Sequence, residues 1–278
     1  MDVLRYAAFG VDASGGNPAG VVLGARGCDD AEMQRIAAEV GFSETAFAIA
    51  RADGGIEVRY FSPLAEVPFC GHATIALAVA YAHRHGPGEL RLHTKAGEVP
   101  VRTTRDRQDV YTATLTSVRP RTVRIAPDDL FELLAALRWA TADLDRDLPV
   151  RAAYAGAWHP VLAVRERARL ADLDYDMARL NRLMLRQNWA TANLLWRESP
   201  KVFHSRNPFP PGGVREDPAT GAAAAALGGY LRESSLVRPP VTITVRQGED
   251  MGRPSIIHVT VPEGSSTGIE VSGTAVAM

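Results

Sequence analysis

Hydrophobic positions along the chain form two long runs that predict helices and many short runs that predict strands. The long runs, Thr74–Ala82 and Ala224–Leu231, are apolar on every side and carry no charged residue. A helix without a polar face is buried all round, so we predict that each is a core helix wrapped by strands. The strand-like runs are Arg5–Phe9, Gly20–Leu23, Ala46–Ala50, Glu57–Phe61, Leu90–His93, Val99–Arg102, Thr112–Leu115, Val161–Val164, Val241–Val245 and Ile256–Val261.

The two core helices begin with the same motif. Glu66–Ala73 and Glu216–Ala223 both read Glu-x-Pro-x-x-Gly-x-Ala, and Arg59 precedes the first as Arg206 precedes the second. Chance similarity between two alanine-rich helix starts is the alternative, but alanine content does not explain the matched Pro, Gly and Arg positions. We therefore predict an internal repeat.

The repeat divides the chain into two similar domains. We place the first at residues 1–118, with a central helix at about 71–85. The second covers residues 119–278, with a central helix at about 220–232, and its last segment could return to the first domain. The second half adds two amphipathic helices: one is capped by Asp128–Asp129 and runs to about Arg138, and the other runs from Leu170 to about Gln187.

Paired helix starts favour a ligand site. The first N–H groups of a helix have no partner within it and carry partial positive charge, so a helix start can hold a carboxylate. Two starts related by a repeat would suit a small anionic substrate held from both sides, at the junction of the halves. A purely structural role is the alternative for one motif; His72 and Asp217, one in each copy, favour the site.

Glu44 is a further candidate. It follows a helix capped by Asp29–Asp30 and closed by Gly41, in a strand-like run where it shares a face with Ala46 and Ala48. A carboxylate is costly to keep ionised among apolar neighbours, which suits a residue that exchanges a proton. A strand-end Glu pointing to solvent or paired with an arginine is equally compatible with this segment.

Composition narrows the function. The chain has 278 residues, 46% of them hydrophobic, and 31 Lys and Arg against 32 Asp and Glu, so no surplus charge favours nucleic acid or an anionic membrane. Cys28 and Cys70 are too few for a disulfide scaffold and fit a reduced compartment. The chain start lacks the features of a signal peptide, and the apolar stretches are too short to span a bilayer. We expect a soluble, cytoplasmic protein.

Cofactor motifs are missing from the sequence. No Gly-x-Gly-x-x-Gly follows a strand, and no Gly-x-x-x-x-Gly-Lys-Ser/Thr occurs. Lys95 and Lys201 are the only lysines, and Lys95 lies in a predicted turn, which disfavours a Schiff-base cofactor. His83 and His85 are two residues apart on a helix and would point in different directions. We therefore expect neither a cofactor nor a metal.

Five motifs together resemble the PhzF-like isomerases of phenazine biosynthesis, relatives of diaminopimelate epimerase. They occur in the family's order over most of the chain: Gly16–Gly20, Ser43–Phe47, Cys70–Thr74, Glu216–Gly221, and Gln247–Gly248 followed by Gly252–Ser255. The resemblance implies an α+β fold of the diaminopimelate epimerase type, in which each of two similar domains is a curved, mostly antiparallel sheet or barrel around a central helix. It also implies an active site between the domains and a homodimer.

The resemblance also assigns roles. Glu44 matches the family's general acid/base, and His72 and Asp217 match its proton-handling, substrate-contacting partners. Gly71 and Gly221 match the helix-start glycines whose neighbouring N–H groups bind substrate. The substrate-binding set is Asn17, Gly71, Ala73, Thr220, Gly221 and Ala222.

Two departures from relatives matter. Many family members have Ser where this chain has Ala222, so no hydroxyl can relay a proton from that side chain. The epimerases use two opposed cysteines; Cys70 matches the first, but Thr220 occupies the second position. Inversion by a thiol pair is therefore not supported.

These observations predict a cofactor-independent isomerase. Glu44 would move a proton, in a double-bond or allylic shift, on a small, unsaturated, amino-acid-derived carboxylic acid of secondary metabolism. An amino-acid racemase or epimerase and a non-catalytic small-molecule binding protein are the alternatives. Neither nucleic acid nor a membrane is an expected partner.

Overall fold

The structure is a computed structural model and describes residues 2–278, which form seventeen strands and six α-helices. The helices are α1 (Asp30–Val40), α2 (Gly71–His85), α3 (Pro127–Leu137), α4 (Arg167–Ala171), α5 (Met177–Gln187) and α6 (Gly221–Glu233). The strands are β1 (Leu4–Ala8), β2 (Asn17–Val22), β3 (Glu44–Ala50), β4 (Ile56–Phe61), β5 (Glu66–Val67), β6 (Glu89–Thr94), β7 (Gly97–Arg105), β8 (Tyr111–Thr116), β9 (Arg121–Val123), β10 (Arg151–Tyr154), β11 (Trp158–Val164), β12 (Asn193–Ser199), β13 (Val202–Pro208), β14 (Glu216–Asp217), β15 (Val241–Gln247), β16 (Ser255–Val261) and β17 (Glu270–Ala277).

The chain forms two compact units. The first comprises Met1–Thr116, Arg253–Ile256 and Ser272–Met278, and the second comprises Ser117–Gly252 and Ile257–Val271. The sequence had placed the boundary at residue 118, with a last segment able to return to the first domain. Each unit is described by itself below.

The first unit is a closed barrel. Strand β1 pairs with β2, β2 with β3, β3 with β4 and β4 with β6, after which β6, β7 and β8 form antiparallel hairpins. Strand β17 pairs with both β8 and β1 and so closes the ring of eight strands. The pairs β2–β3 and β4–β6 are parallel, whereas β1–β2, β3–β4, β6–β7, β7–β8 and β1–β17 are antiparallel. The sheet is therefore mostly antiparallel.

Helix α2 fills this barrel. Every residue from His72 to Ala80 is buried, as is Ala82. The small side chains of this helix let the surrounding strands approach closely on all sides, which the absence of a polar face had predicted.

The second unit repeats the arrangement around α6. Strands β9, β10 and β11 are antiparallel neighbours, β11 is parallel to β12, β12 antiparallel to β13, and β13 parallel to β15. Residues Ala223–Leu231 of α6 are buried. Leucines of α3 and α5 pack together on the outside of these strands in a separate apolar cluster.

The repeat extends to the outer helices α1 and α5. Asp29 caps α1 by accepting a hydrogen bond from the N–H of Glu32, and the helix closes at Gly41 in the left-handed region. Asp176 caps α5 in the same way, and Asn188 closes it at φ 54°. Each helix connects a pair of parallel strands, β2–β3 and β11–β12.

Two helix boundaries differ from the sequence prediction. The predicted helix from Leu170 to Gln187 is two helices, because Asp176 caps α5 and separates it from the short α4. Asp128 and Asp129 lie in the first turn of α3 rather than at its cap, because Pro127 occupies the first helical position.

Candidate active site

Glu44 begins strand β3 immediately after the turn that closes α1. Gly41 takes the left-handed conformation that reverses the chain, at φ 70°, and the chain then enters β3. Glu44 faces Ala19 of the parallel strand β2. Its side chain is 17% exposed, so the carboxylate has little access to bulk water.

His72 lies in the first turn of α2 and reaches Glu44. Its Nε2 atom is 3.3 Å from Oε2 of Glu44 and 3.3 Å from Oγ of Ser43. Its Nδ1 atom is 3.4 Å from Sγ of Cys70. The structure therefore brings together two of the three predicted catalytic residues, with a thiol beside them.

A buried hydrogen-bond chain fixes the start of α2. The hydroxyl of Thr74 donates to the carbonyl of Cys70 at 2.6 Å, so the phenol of Tyr60 donates to Thr74, at 2.7 Å. Burial raises the pKa of Tyr60, which keeps the phenol protonated as this arrangement requires.

The same helix start offers room for a ligand. A Cβ added to Gly71 would meet no atom of the surrounding structure within 4 Å. The first N–H groups of a helix have no partner within the helix, so those of Gly71, His72 and Ala73 can bind an anion. Asn17, the remaining predicted residue of this unit, begins β2 and is buried.

In the second unit, Gln247 holds the start of α6. Its amide nitrogen donates to the carbonyl of Asp217 at 2.7 Å, and its amide oxygen accepts from the N–H of Thr220 at 3.1 Å. The hydroxyl of Thr220 donates to Oδ2 of Asp217 at 2.5 Å. The helix then begins with Gly221 and the partly exposed Ala222. Sequence reasoning used Gln247 as a family motif but did not place it at the site.

A second buried network lies against α6. In direction of donation it runs from Nδ1 of His159 to the hydroxyl of Thr191, then to Asn207, Ser205 and Asn193, and ends at the carbonyl of Ala223. The hydroxyl of Thr191 donates to Asn207 at 2.7 Å, so Nδ1 of His159 carries its proton. Burial lowers the pKa of His159 to about 4, and its imidazole is neutral near pH 7.

A cavity in the second unit is lined by none of the predicted site residues. It measures about 540 Å³ and is lined in part by Trp158, Trp189 and Tyr154. The guanidinium carbon of Arg121 is 4.5 Å from the ring centre of Tyr154. Trp158 and Trp189 line this cavity and also belong to the apolar cluster formed with α3 and α5.

One cluster has a composition that could bind metal. The possible ligand atoms of Glu44, Cys70 and His72 all lie within 4.8 Å of one another.

Within residues 2–278, no helix combines the length and hydrophobicity that crossing a bilayer requires.

Comparison of structures defines the fold. A probable proline racemase from Agrobacterium radiobacter superposes with a TM-score of 0.66 at 13% identity, over 98% of this chain and 89% of that one. The sheet wrapped around a buried helix, present twice, is therefore the diaminopimelate epimerase-like fold that the motifs predicted.

The family follows from closer relatives. The family model described as phenazine biosynthesis-like protein matches residues 6–278. A Bacillus anthracis phenazine biosynthesis protein of the PhzF family superposes with a TM-score of 0.88 at 28% identity, covering 100% of this chain and 98% of that chain. The trans-2,3-dihydro-3-hydroxyanthranilate isomerase of Pseudomonas fluorescens is 31% identical over 94% of this chain and 91% of the relative. The chain belongs to the phenazine biosynthesis-like family and is an isomerase.

Proposed function

We propose that the chain moves a proton within a small, unsaturated, amino-acid-derived carboxylic acid, with Glu44 as the general acid/base. The observation that supports this most is the 3.3 Å approach of Glu44 Oε2 to His72 Nε2 beside the start of α2. A carboxylate, an imidazole and open backbone N–H groups are the components that proton transfer next to a carboxylate requires.

The mechanism needs no group besides these. Glu44 takes a proton from an allylic carbon, and the electron pair left behind spreads through the double bond toward the substrate carboxylate. The N–H groups at the start of α2 stabilise that developing charge. Glu44, now protonated, or His72 returns a proton to a more distant carbon, which moves the double bond and balances the reaction.

Asp217 is the proposed anchor for a substrate amino group. One of its carboxylate oxygens accepts from Thr220, and a carboxylate oxygen has further lone pairs for an ammonium donor. The Pseudomonas fluorescens relative supports this substrate class, because its name describes a dihydro-hydroxyanthranilate, an unsaturated acid with an amino group.

The test is incubation with trans-2,3-dihydro-3-hydroxyanthranilate in heavy water. We expect isomerised product that contains deuterium, and Glu44→Gln should slow its formation by about 10²–10⁴-fold, the usual contribution of a general acid/base. Glu39→Gln is the matched control, since Glu39 lies on α1, is 64% exposed and pairs only with Arg35 among the ion pairs of the described chain. Unchanged deuterium uptake in Glu44→Gln would remove Glu44 from the mechanism.

One contact favours a second candidate, epimerisation. Cys70 Sγ lies 3.4 Å from His72 Nδ1, so an imidazole is available to take the thiol proton. The second proton donor would then have to be Thr220, whose hydroxyl donates to Asp217. A threonine hydroxyl is a poor substitute for a thiol. Epimerisation would exchange hydrogen at Cα with inversion and without any shift of ultraviolet absorbance.

A further inference from the structure

We propose that Glu44, Cys70 and His72 bind a Zn²⁺ ion that competes with proton transfer, so that zinc reversibly inhibits the enzyme. The site takes a borderline-soft divalent cation through one oxygen, one sulfur and one nitrogen ligand. The inhibition rests on the role of Glu44 proposed above, whereas the binding of zinc does not.

The spacing of the ligand atoms carries this inference. Zinc binds His nitrogen and carboxylate oxygen at about 2.0–2.2 Å and Cys sulfur at about 2.3 Å, so tetrahedral ligand atoms lie roughly 3.3–3.7 Å apart. His72 Nε2 is 3.3 Å from Glu44 Oε2 and 3.8 Å from Cys70 Sγ. All three ligand atoms lie within 4.8 Å of one another. Small side-chain rotations would bring them to the spacing that a tetrahedral ion requires.

The ligands are also held in place before any ion arrives. His72 and Cys70 are each about 8% exposed, and the Tyr60–Thr74 hydrogen bond fixes the carbonyl of Cys70. Three protein ligands leave a fourth position for water, as in zinc sites that are not structural.

Charge and chemistry agree with this ion. Binding releases the thiol proton of Cys70, and the thiolate and the Glu44 carboxylate together neutralise the two positive charges. Once Glu44 coordinates zinc, the lone pair that would accept the substrate proton is engaged. Occupancy and proton transfer therefore exclude one another.

Cobalt tests the site without any substrate. Chelator-treated full-length protein is titrated with Co²⁺, and we expect one equivalent to give the ultraviolet thiolate-to-cobalt band and the visible bands of a tetrahedral ion, both removed by Zn²⁺. Cys70→Ala should abolish the thiolate band and weaken zinc binding at least about 10²-fold, whereas Cys28→Ala, the matched control, should keep both. Circular dichroism verifies that each variant is folded. Absence of the band in the wild type, or its persistence in Cys70→Ala, would overturn the proposal.

An activity arm separates this proposal from the proposed function. In the deuterium assay, zinc should inhibit the wild type. The activity that Cys70→Ala retains should not be inhibited by the same concentration of zinc. A wild type that binds cobalt through sulfur but never isomerises the substrate would refute the proposed function and leave the metal site standing. An active wild type whose rate zinc does not change, despite the cobalt spectrum, would refute the inhibition.

Discussion

The starts of the two core helices, α2 and α6, share a scaffold. Arg59 donates from Nε and Nη2 to the two carboxylate oxygens of Glu66, both at 2.8 Å. Arg206 forms the same two-pronged pair with Glu216, at 2.9 and 2.5 Å. Each pair joins a long strand to the two-residue strand that leads into the helix. The matched Arg and Glu of the sequence repeat are thus explained by structure rather than by chemistry at the site.

The side chains proposed to face a ligand differ between the two starts. His72 in α2 corresponds to Ala222 in α6, and Asp217 corresponds to Val67, because they occupy the same register in β14 and β5. Phe47 faces Arg59 as Leu194 faces Arg206, so Glu44, three positions earlier, corresponds to Thr191. The repeat preserves the backbone while each unit keeps a different part of the proposed chemistry.

The strands behind the two helices differ as well. Around α6 a chain of buried polar groups reaches from His159 to Ala223. At the corresponding positions around α2 the first unit has Ala19 in place of His159 and Ala46 in place of Asn193, both buried. The second unit is therefore organised around α6 by directed hydrogen bonds, and the first around α2 by apolar packing with the Tyr60–Thr74 contact.

The largest expected effect comes from making α2 resemble α6. His72→Ala gives the first helix start the residue found at Ala222 and removes the partner of Glu44. We expect kcat/KM for the proposed isomerisation to fall by about 10²–10⁴-fold, the range for one proton-handling group. Ala222→Ser, which adds a hydroxyl to the other start without removing a contact, should change the rate far less. Equal rates for wild type and His72→Ala would separate His72 from catalysis.

The next effect distinguishes the two ion pairs. Glu216→Gln leaves the guanidinium of Arg206 without its carboxylate, in a site where the two side chains are 11% and 6% exposed. We expect a loss of about 3 kcal/mol in the free energy of unfolding. Glu66→Gln should cost less, because Arg59 keeps Asp30 as a second acceptor at 2.6 Å. Urea denaturation measures both; a larger loss in Glu66→Gln would contradict the comparison.

Acid should destabilise the second unit through His159. Its folded pKa of about 4 lies below the unfolded value of 6.5, so the unfolded state binds the proton first. Stability from this residue is complete above pH 6.5 and is lost as the pH falls toward 4, with a slope of at most about 1.4 kcal/mol per pH unit. His159→Gln, which cannot titrate, should flatten that part of the stability curve. An unaltered slope between pH 6.5 and 4 would show that other groups cause it.

Sequence reasoning succeeded where one pattern decided the structure. Helices α2 and α6 were predictable because an uncharged, wholly apolar run can only be a core helix. Strands β12 and β13 were missed because Asn193, Ser205 and Asn207 point polar groups inward, where the alternating pattern requires apolar ones. Ser205 and Asn207, two polar residues two positions apart in β13, were the signal available in the sequence.

The remaining misses depend on contacts that sequence spacing does not reveal. Gln247 is the last residue of an ordinary strand, and its hydrogen bonds to Asp217 and Thr220 join it to residues thirty and twenty-seven positions away in the sequence. The approach of Cys70 to His72 could be suspected from the sequence, but the direction of the sulfur required coordinates.

The smallest expected effect tests whether the repeat extends to energetics. Asp29→Ala and Asp176→Ala each remove a side-chain cap that accepts one N–H of the first helical turn, from Glu32 and Arg179 respectively. Each should cost about 1 kcal/mol of unfolding free energy, because the caps share their geometry and both helices lead into a parallel strand. Asp172→Ala, outside both caps, is the control. Unequal losses would mean that α1 and α5 have the same cap geometry but contribute differently to the free energy of unfolding. The repeat would then extend to the sequence and the structure of these helices but not to their stability.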